Sequence, residues 1–157
     1  MGHLIPSYPD DRMVVRIQTS KTIHAMNLNT CKLTYISGPI IDPRGTWYTQ
    51  QNLREAESLA AALWQMGLAV LCWHKNIAGM DGIVQSEAFL VAALTTIKRC
   101  DLFVLLPTWE EAIESRAEKI IAEESHIPIY TWPIDCPKLM AIGSGQPIVQ
   151  ETIKGAH

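Results

Sequence analysis

Glu118 is the residue whose type and position most directly suggest chemistry. A carboxylate in the first turn of a helix is kept ionised by the helix N-terminus and can act there as a nucleophile. The same residue ends the segment Ser115–Glu118, which matches the S-x-x-E capping box, where the Glu side chain bonds back to a backbone amide. Spacing alone favours the capping role. Both roles need the same carboxylate, so the geometry around Glu118 decides between them.

The turn Ser37-Gly38-Pro39 is a second candidate, because it follows an apolar run and precedes Arg44 by a few residues. A hydroxyl, a closely approaching backbone and a cation can together hold a phosphate or a sugar hydroxyl. An ordinary tight turn after a strand has the same residues. The spacing contains neither G-x-G-x-x-G nor G-x-x-x-x-G-K-[ST], which argues against the usual dinucleotide site and against a P-loop.

His74 is a candidate general acid or base at the end of a predicted strand, and an ordinary loop histidine is the alternative. Trp73 and Trp109 offer aromatic faces that can stack on a planar base, although core packing or a dimer contact explains them equally well. The histidine, cysteine and acidic residues do not converge on metal-ligand spacing. The sequence therefore predicts no metal and no cofactor.

The elements that position these residues alternate between strand-like and helix-like segments. We expect an α/β protein with a flavodoxin-like or Rossmann-like three-layer α/β/α architecture and a mainly parallel sheet of four to five strands. The predicted strands are 33–37, 68–73, 101–106 and a segment near residue 129, and the predicted helices are 52–66, 84–99 and 115–125. Ligands bind such sheets at the carboxyl ends of the strands, where residues 37–44, 73–76 and 107–118 would meet.

The chain divides by composition into an N-terminal arm or hairpin (1–32), the α/β domain (33–132) and a C-terminal tail packing on it (133–157). The predicted helix 84–99 contains the unbroken apolar run Phe89–Leu94, and a helix that is apolar nearly all round is normally covered. Either a second layer or another subunit covers it. We expect a homodimer or a higher homo-oligomer.

Composition excludes several classes of protein. The chain has 157 residues and a net charge of −3, with no Lys/Arg run, which argues against polymeric nucleic acid as a partner. Its longest apolar stretch is shorter than the ~20 residues that cross a bilayer, so no membrane partner is expected. The four cysteines are scattered singly, as in a reduced cytoplasmic protein. The N-terminus does not have the pattern of a signal peptide.

Four segments together resemble the nucleoside 2-deoxyribosyltransferase superfamily, and more narrowly a group of small bacterial and phage proteins within it. The segments are Tyr35-Ile36-Ser37-Gly38-Pro39, then residues 100–110 (CDLFVLLPTWE), then Glu118, then Ile127-Pro128-Ile129-Tyr130. The resemblance covers about residues 33–132. It implies that Glu118 attacks the anomeric carbon of a nucleoside or nucleotide, releases the base and leaves a glycosyl-enzyme ester, which water or a second base then resolves.

The resemblance makes Ser37, Gly38 and the loop with Arg44 the sugar and phosphate side of the site. The predicted catalytic residues are Glu118 and His74, and the predicted substrate-binding residues are Tyr35, Ser37, Gly38, Pro39, Arg44, Trp73, Pro107, Trp109 and Ser115. The implied partner is a small nucleoside or nucleotide.

Three positions depart from the pattern of the superfamily. Ala112 stands where a Ser or Asp contacts the sugar phosphate, and Glu114 replaces a small Gly, so a 5′-phosphate is disfavoured. Ala93 stands where an Asp assists protonation of the leaving base. Without that acid, departure of the base loses roughly 10²–10⁴-fold in rate. Either His74 or Glu87 substitutes, or the chemistry has been abandoned.

Two other classes of function therefore stay open beside the enzyme. One is a non-catalytic protein that senses or sequesters a nucleoside or nucleotide in the same crevice, with Glu118 as a helix cap. The other is an oligomeric scaffold, suggested by the apolar run Phe89–Leu94.

Overall fold

The computed structural model describes residues 30–80 and 82–145, together with two short strands nearer the N-terminus. These strands, β1 (Val14–Val15) and β2 (Met26–Asn27), pair antiparallel. The rest of the arm predicted for residues 1–32 lies almost entirely outside the described residues, as do positions 146–157 of the predicted tail.

A four-stranded parallel sheet forms the centre of the molecule. Its strands are β3 (Leu33–Ser37), β4 (Ala69–Cys72), β5 (Leu102–Leu105) and β6 (Ile129–Thr131), in the order β4-β3-β5-β6. In the register, Tyr35 lies opposite Leu71 on one side and Phe103 on the other. The apolar β3 and β5 occupy the two central positions, as expected of strands that are buried on both faces.

Within residues 30–80 and 82–145, five helices and one short 3₁₀ turn surround the sheet. They are α1 (Thr46–Gln65), α2 (Trp73–Ile77), α3 (Ser86–Ile97), the 3₁₀ turn Trp109–Glu111, α4 (Ile113–Glu124) and α5 (Cys136–Gly143). The first of these begins at residue 46 rather than at the predicted 52. It starts directly after Gly45, whose φ of 123° only glycine adopts readily. Trp73 belongs to α2, so the prediction that it ends a strand is wrong.

Each face of the sheet carries its own apolar core. Ile36 and Val104 pack with buried residues of α1 and with Leu139 of α5. Tyr35 and Phe103 point the other way and pack with residues of α3 and α4. The alternation follows from the two-residue repeat of a strand. The prediction of a three-layer α/β/α fold with a parallel sheet is confirmed, and it puts Tyr35 and Ser37 of β3 on the side of α3 and α4.

The outward face of α3 is exposed and carries Val91 and two alanines between Glu87 and Thr95. Val91 is 64% exposed, whereas Ala93 and Ile97 on the opposite face are buried. Within the described residues, therefore, this chain covers one face of α3 and leaves the other uncovered. In the same part of the chain, every helix is too short or too polar to cross a bilayer.

Candidate active site

Helix α4 begins at Ile113, before the predicted start at Ser115. The residue preceding it, Ala112, has an extended backbone (ψ 129°) and makes no side-chain cap. Ser115 lies inside the helix with its Oγ buried and, among the described residues, without a hydrogen-bond partner. The capping-box interpretation of Ser115–Glu118 is wrong, because Ile113 and Glu114 are already helical. Glu118 therefore lies in the second turn of α4 rather than at its N-terminus, and its side chain faces the sheet.

The carboxylate of Glu118 is held by two hydroxyl groups of β3. The Tyr35 hydroxyl donates to Oε1 at 2.8 Å, and the Ser37 hydroxyl donates to Oε2 at 2.5 Å. These donors are two residues apart on the strand and therefore share one face of the sheet. Both are fully buried, and Glu118 is 5% exposed. The arrangement fixes both carboxylate oxygens without placing a positive charge beside them.

The carboxyl group of Glu118 gains or loses its proton near neutral pH. The pKa of its carboxyl is raised to about 7. Burial is the largest cause and the charge of Glu114 adds to it, while the hydrogen bonds from Ser37 and Tyr35 act in the opposite direction. Burial also raises the pKa of the Tyr35 phenol far above its ordinary value, so Tyr35 stays a neutral donor. Glu118 can therefore be ionised at mildly alkaline pH while its two partners remain uncharged.

Glu118 borders a cavity of about 320 Å³ at the carboxyl end of β3, between α2, α3 and α4. We call it the Glu118 cavity. Its lining is mostly apolar and comprises Gly38, Ile40, Ile41, Trp73, Ile77, Gly82, Val84, Ser86, Phe89, Leu90, Ala93, Ala112, Glu114 and Glu118. The charged residues of this lining, within the described part of the chain, are the two glutamates. The volume lies at the lower end of the ~300–1,000 Å³ that is usual for ligand sites.

The three positions that depart from the superfamily pattern all line this cavity. Ala93 comes from α3, Ala112 precedes α4, and Glu114 lies in its first turn. The two methyl groups offer no proton donor. The three departures from the pattern therefore lie around the carboxylate of Glu118.

His74 is buried, with 1% of its surface exposed, and it is absent from the described lining of the cavity. Its Nε2 lies 3.2 Å from the carbonyl oxygen of Pro39, and since a carbonyl only accepts, Nε2 carries the proton. Its Nδ1 has no partner among the described residues. Burial lowers the pKa of the ring to about 4, so His74 is neutral at pH 7. In this geometry it ties α2 to the turn after β3.

Gly38 and Trp73 lie against the Glu118 cavity, and each is fixed by a close neighbour. A Cβ at Gly38 would lie 2.6 Å from Cδ1 of Leu106, so the turn after β3 has no room for a larger residue. Trp73 lies beside Tyr35, with ring centroids 6.4 Å apart, and Tyr35 stacks in turn on Phe103 at 5.6 Å. The aromatic stack supports the phenol that holds Glu118.

The remaining predicted binding residues lie elsewhere. Arg44 pairs with Asp42 at 2.6 Å, covers the ring of Tyr48 at 4.1 Å and lines a separate cavity of about 380 Å³, the Arg44 cavity. Pro107 lines a third depression, next to α1. Trp109 packs against the core of α3 and α4, with Lys119 Nζ 5.4 Å from its ring centre.

The apolar wall of the Glu118 cavity is not among the site residues predicted from the sequence. Phe89 and Leu90 line the Glu118 cavity, whereas the sequence predicts that a second layer or another subunit covers the run that contains them, and favours the subunit. The sequence does contain a signal for this wall, because a helix that is apolar nearly all round must pack against more than one surface. No three His, Cys, Asp or Glu side chains gather as a metal site in the residues that the structure describes.

Comparison with solved structures supports the fold. The solution structure of BlsM matches with a TM-score of 0.52 and 14% identity, covering 77% of this chain and 98% of BlsM. The CMP N-glycosidase BcmB of Clostridium botulinum matches with a TM-score of 0.45 and 15% identity, over 72% of this chain and 84% of that one. No family model matches the sequence, and no curated protein does. The likeness to BlsM shows a shared fold.

Proposed function

We propose that this protein cleaves or transfers the N-glycosidic bond of a nucleoside-like substrate, with Glu118 as the nucleophile. The observation that carries the proposal is the geometry of one carboxylate. Glu118 is buried, both of its oxygens are oriented by hydroxyl donors of β3, and it borders a cavity of ligand size.

The reaction is a double displacement. A Glu118 oxygen attacks C1′ as the bond from C1′ to the base nitrogen breaks, and the negative charge of the carboxylate stabilises the oxocarbenium-like transition state. The product is a glycosyl ester on Glu118. Water or a second base then attacks the same carbon and frees the carboxylate. The hydroxyls of Tyr35 and Ser37 keep the carboxylate in one orientation through both steps.

The meeting of two distant motif segments supports this proposal. Tyr35 and Ser37 belong to the Tyr35–Pro39 segment that resembles the superfamily, and they contact a glutamate 83 and 81 positions further along the chain. The residue that the resemblance assigns as nucleophile is thus the one that these two residues hold.

Release of free base is the direct test. The full-length protein is incubated with a panel of ribonucleosides, deoxyribonucleosides, their 5′-monophosphates and N-glycosylpyridinium compounds, and free base is measured by chromatography. Acid-quenched samples are then digested and analysed by mass spectrometry for a glycosyl adduct. We expect free base, and an adduct on the peptide that contains Glu118. An adduct on another peptide, or no base from any substrate, would contradict the proposal.

A non-catalytic binding protein is the second candidate, and Ala93 is the observation that favours it. A methyl group lies at the cavity where the superfamily resemblance implies an acid for the leaving base. Such a protein would be thermally stabilised by one ligand of the panel and would release no base from it. The two candidates therefore separate in the same set of incubations.

A further inference from the structure

The Glu118 cavity has the charge of a site for a cation. Its described lining contains two carboxylates, the buried Glu118 and the exposed Glu114, and neither lysine nor arginine. The two glutamates are one helical turn apart on α4, so they lie on the same face of the helix. Burial is the main reason that the pKa of Glu118 is raised, and the charge of Glu114 adds to it as the smallest of the causes. An anionic ligand would meet repulsion here with no group to neutralise it, whereas a positive charge would be attracted by both carboxylates.

Apart from its two glutamates, the described lining of the cavity contains no side chain that could act as an acid toward a leaving base, and Ala93 stands where the superfamily resemblance implies one. Ala93 and Ala112 contribute only methyl groups, and the neutral His74 contacts the carbonyl of Pro39 outside the described lining. A neutral purine or pyrimidine leaves as an anion unless it is protonated. A base that is already cationic leaves as a neutral molecule and needs no acid.

The walls of the cavity suit a flat cation. Trp73 and Phe89 line it, and aromatic faces attract cations that are stripped of water. Aliphatic side chains make up most of the remaining surface, so a delocalised ring cation fits better than a strongly hydrated ammonium.

We propose that the substrate is a cationic N-glycoside, a nucleoside without phosphate whose base carries a positive charge on its ring, such as an N-glycosylpyridinium. This inference rests on the proposed function. Its support is the coincidence, in one cavity, of paired carboxylates, aromatic walls and an alanine where a leaving-group acid is expected.

The step balances without an acid. A Glu118 oxygen forms a bond to C1′, the C1′–N bond breaks, and its electron pair neutralises the pyridinium nitrogen. Water then adds its hydroxyl to C1′, Glu118 leaves as a carboxylate, and the remaining proton passes to solvent. No oxidant, reductant or second substrate is needed.

Turnover of three probe types tests the proposal. We expect kcat/KM for nicotinamide riboside to exceed that for uridine and adenosine by about 100-fold or more, in line with the usual value of general acid catalysis to a neutral leaving group. We expect nicotinamide mononucleotide, which adds a phosphate, to be cleaved at least about tenfold less efficiently than the riboside. Equal rates for the cationic and neutral nucleosides would overturn this proposal and leave the proposed function standing.

Binding of a matched pair of bases separates the two proposals. N1-methylnicotinamide is a cation and nicotinamide is its neutral counterpart, and neither can be cleaved. We expect the cation to bind at least about fivefold more tightly, and Glu114→Gln to reduce that preference while nicotinamide binding stays unchanged. A preserved preference without turnover would refute the enzyme and keep the cation site. Equal binding of the two bases would overturn the cation site whatever the turnover.

Discussion

Two cavities open near the carboxyl edge of the sheet, and the charged side chains that line them have different partners. In the Arg44 cavity, the exposed guanidinium is paired at 2.6 Å with the carboxylate of Asp42, whose side chain is 9% exposed. In the Glu118 cavity, the carboxylate is buried and receives only neutral hydroxyls. The charge of Arg44 is neutralised by its partner, whereas Glu118, once ionised, is oriented by hydroxyl groups that carry no counter-charge.

The comparison distinguishes a structural ion pair from a chemical group. A charge that already has a counter-charge has little left to offer a ligand, and an ion pair whose guanidinium is open to solvent contributes little to stability. A buried carboxylate with neutral partners is costly to the fold, and function is a common reason for keeping one. Activity should therefore depend on Glu118 and be nearly independent of Arg44.

The largest expected effect is on catalysis by Glu118→Gln. The variant keeps the shape of the side chain and loses the negative charge that attacks C1′, so we expect base release to fall about 10³-fold or more. Glu124→Gln, at the exposed C-terminal end of the same helix, is the matched control and should retain full activity. Comparable activity in the two variants would remove Glu118 from the mechanism.

The second effect is on stability as a function of pH. The pKa of Glu118 is about 7 in the fold against an ordinary value of 4.5, so the folded state holds this proton more tightly than the unfolded chain. Stability is therefore lost as pH rises from 4.5 through 7. We expect the unfolding free energy of Glu118→Gln, relative to the wild type, to increase by roughly 1–3 kcal/mol between pH 5 and pH 8. Urea titrations at both pH values measure it, and a constant difference would mean that burial does not shift this pKa.

The third effect is expected when the Ser37 hydroxyl, which orients the Glu118 carboxylate, is removed and the carboxylate itself is kept. Ser37→Ala removes the 2.5 Å hydrogen bond that lowers the pKa of Glu118, so the rise of activity with pH should move to higher pH than in the wild type. At pH 7 we expect a loss of about tenfold. Ser58→Ala, at an exposed serine of α1 that bonds to the carbonyl of Arg54, is the control. An unchanged pH profile in Ser37→Ala would mean that this hydroxyl does not act on Glu118.

The smallest effect is expected for Arg44→Ala. Because the Arg44 cavity is separate from the Glu118 cavity, kcat/KM for an unphosphorylated substrate should stay within about twofold of the wild-type value. A loss of tenfold would mean that Arg44 reaches the substrate, as the sequence resemblance implies, and that the two cavities act as one site.

The sequence predicted the sheet better than the details of the site. The limits of β3 were correct because Leu33–Ser37 is apolar and ends at Gly38-Pro39. The contact of Tyr35 with Glu118 was not foreseen, since it depends on how α4 packs across β3. Local spacing also suggested a cap at Ser115, but the helix begins earlier and packing against the sheet determines where Glu118 points.

The alternation of side chains along β3 has a practical consequence. Ile36 belongs to one core, while Tyr35 and Ser37 on either side of it face the other. A slip of this strand by a single residue would exchange them, set an aliphatic group against the carboxylate and bury a phenol among leucines. Turnover, once a substrate is in hand, would therefore report whether refolded or redesigned versions of the chain have recovered the native alignment, a distinction that helix content measured by circular dichroism would miss.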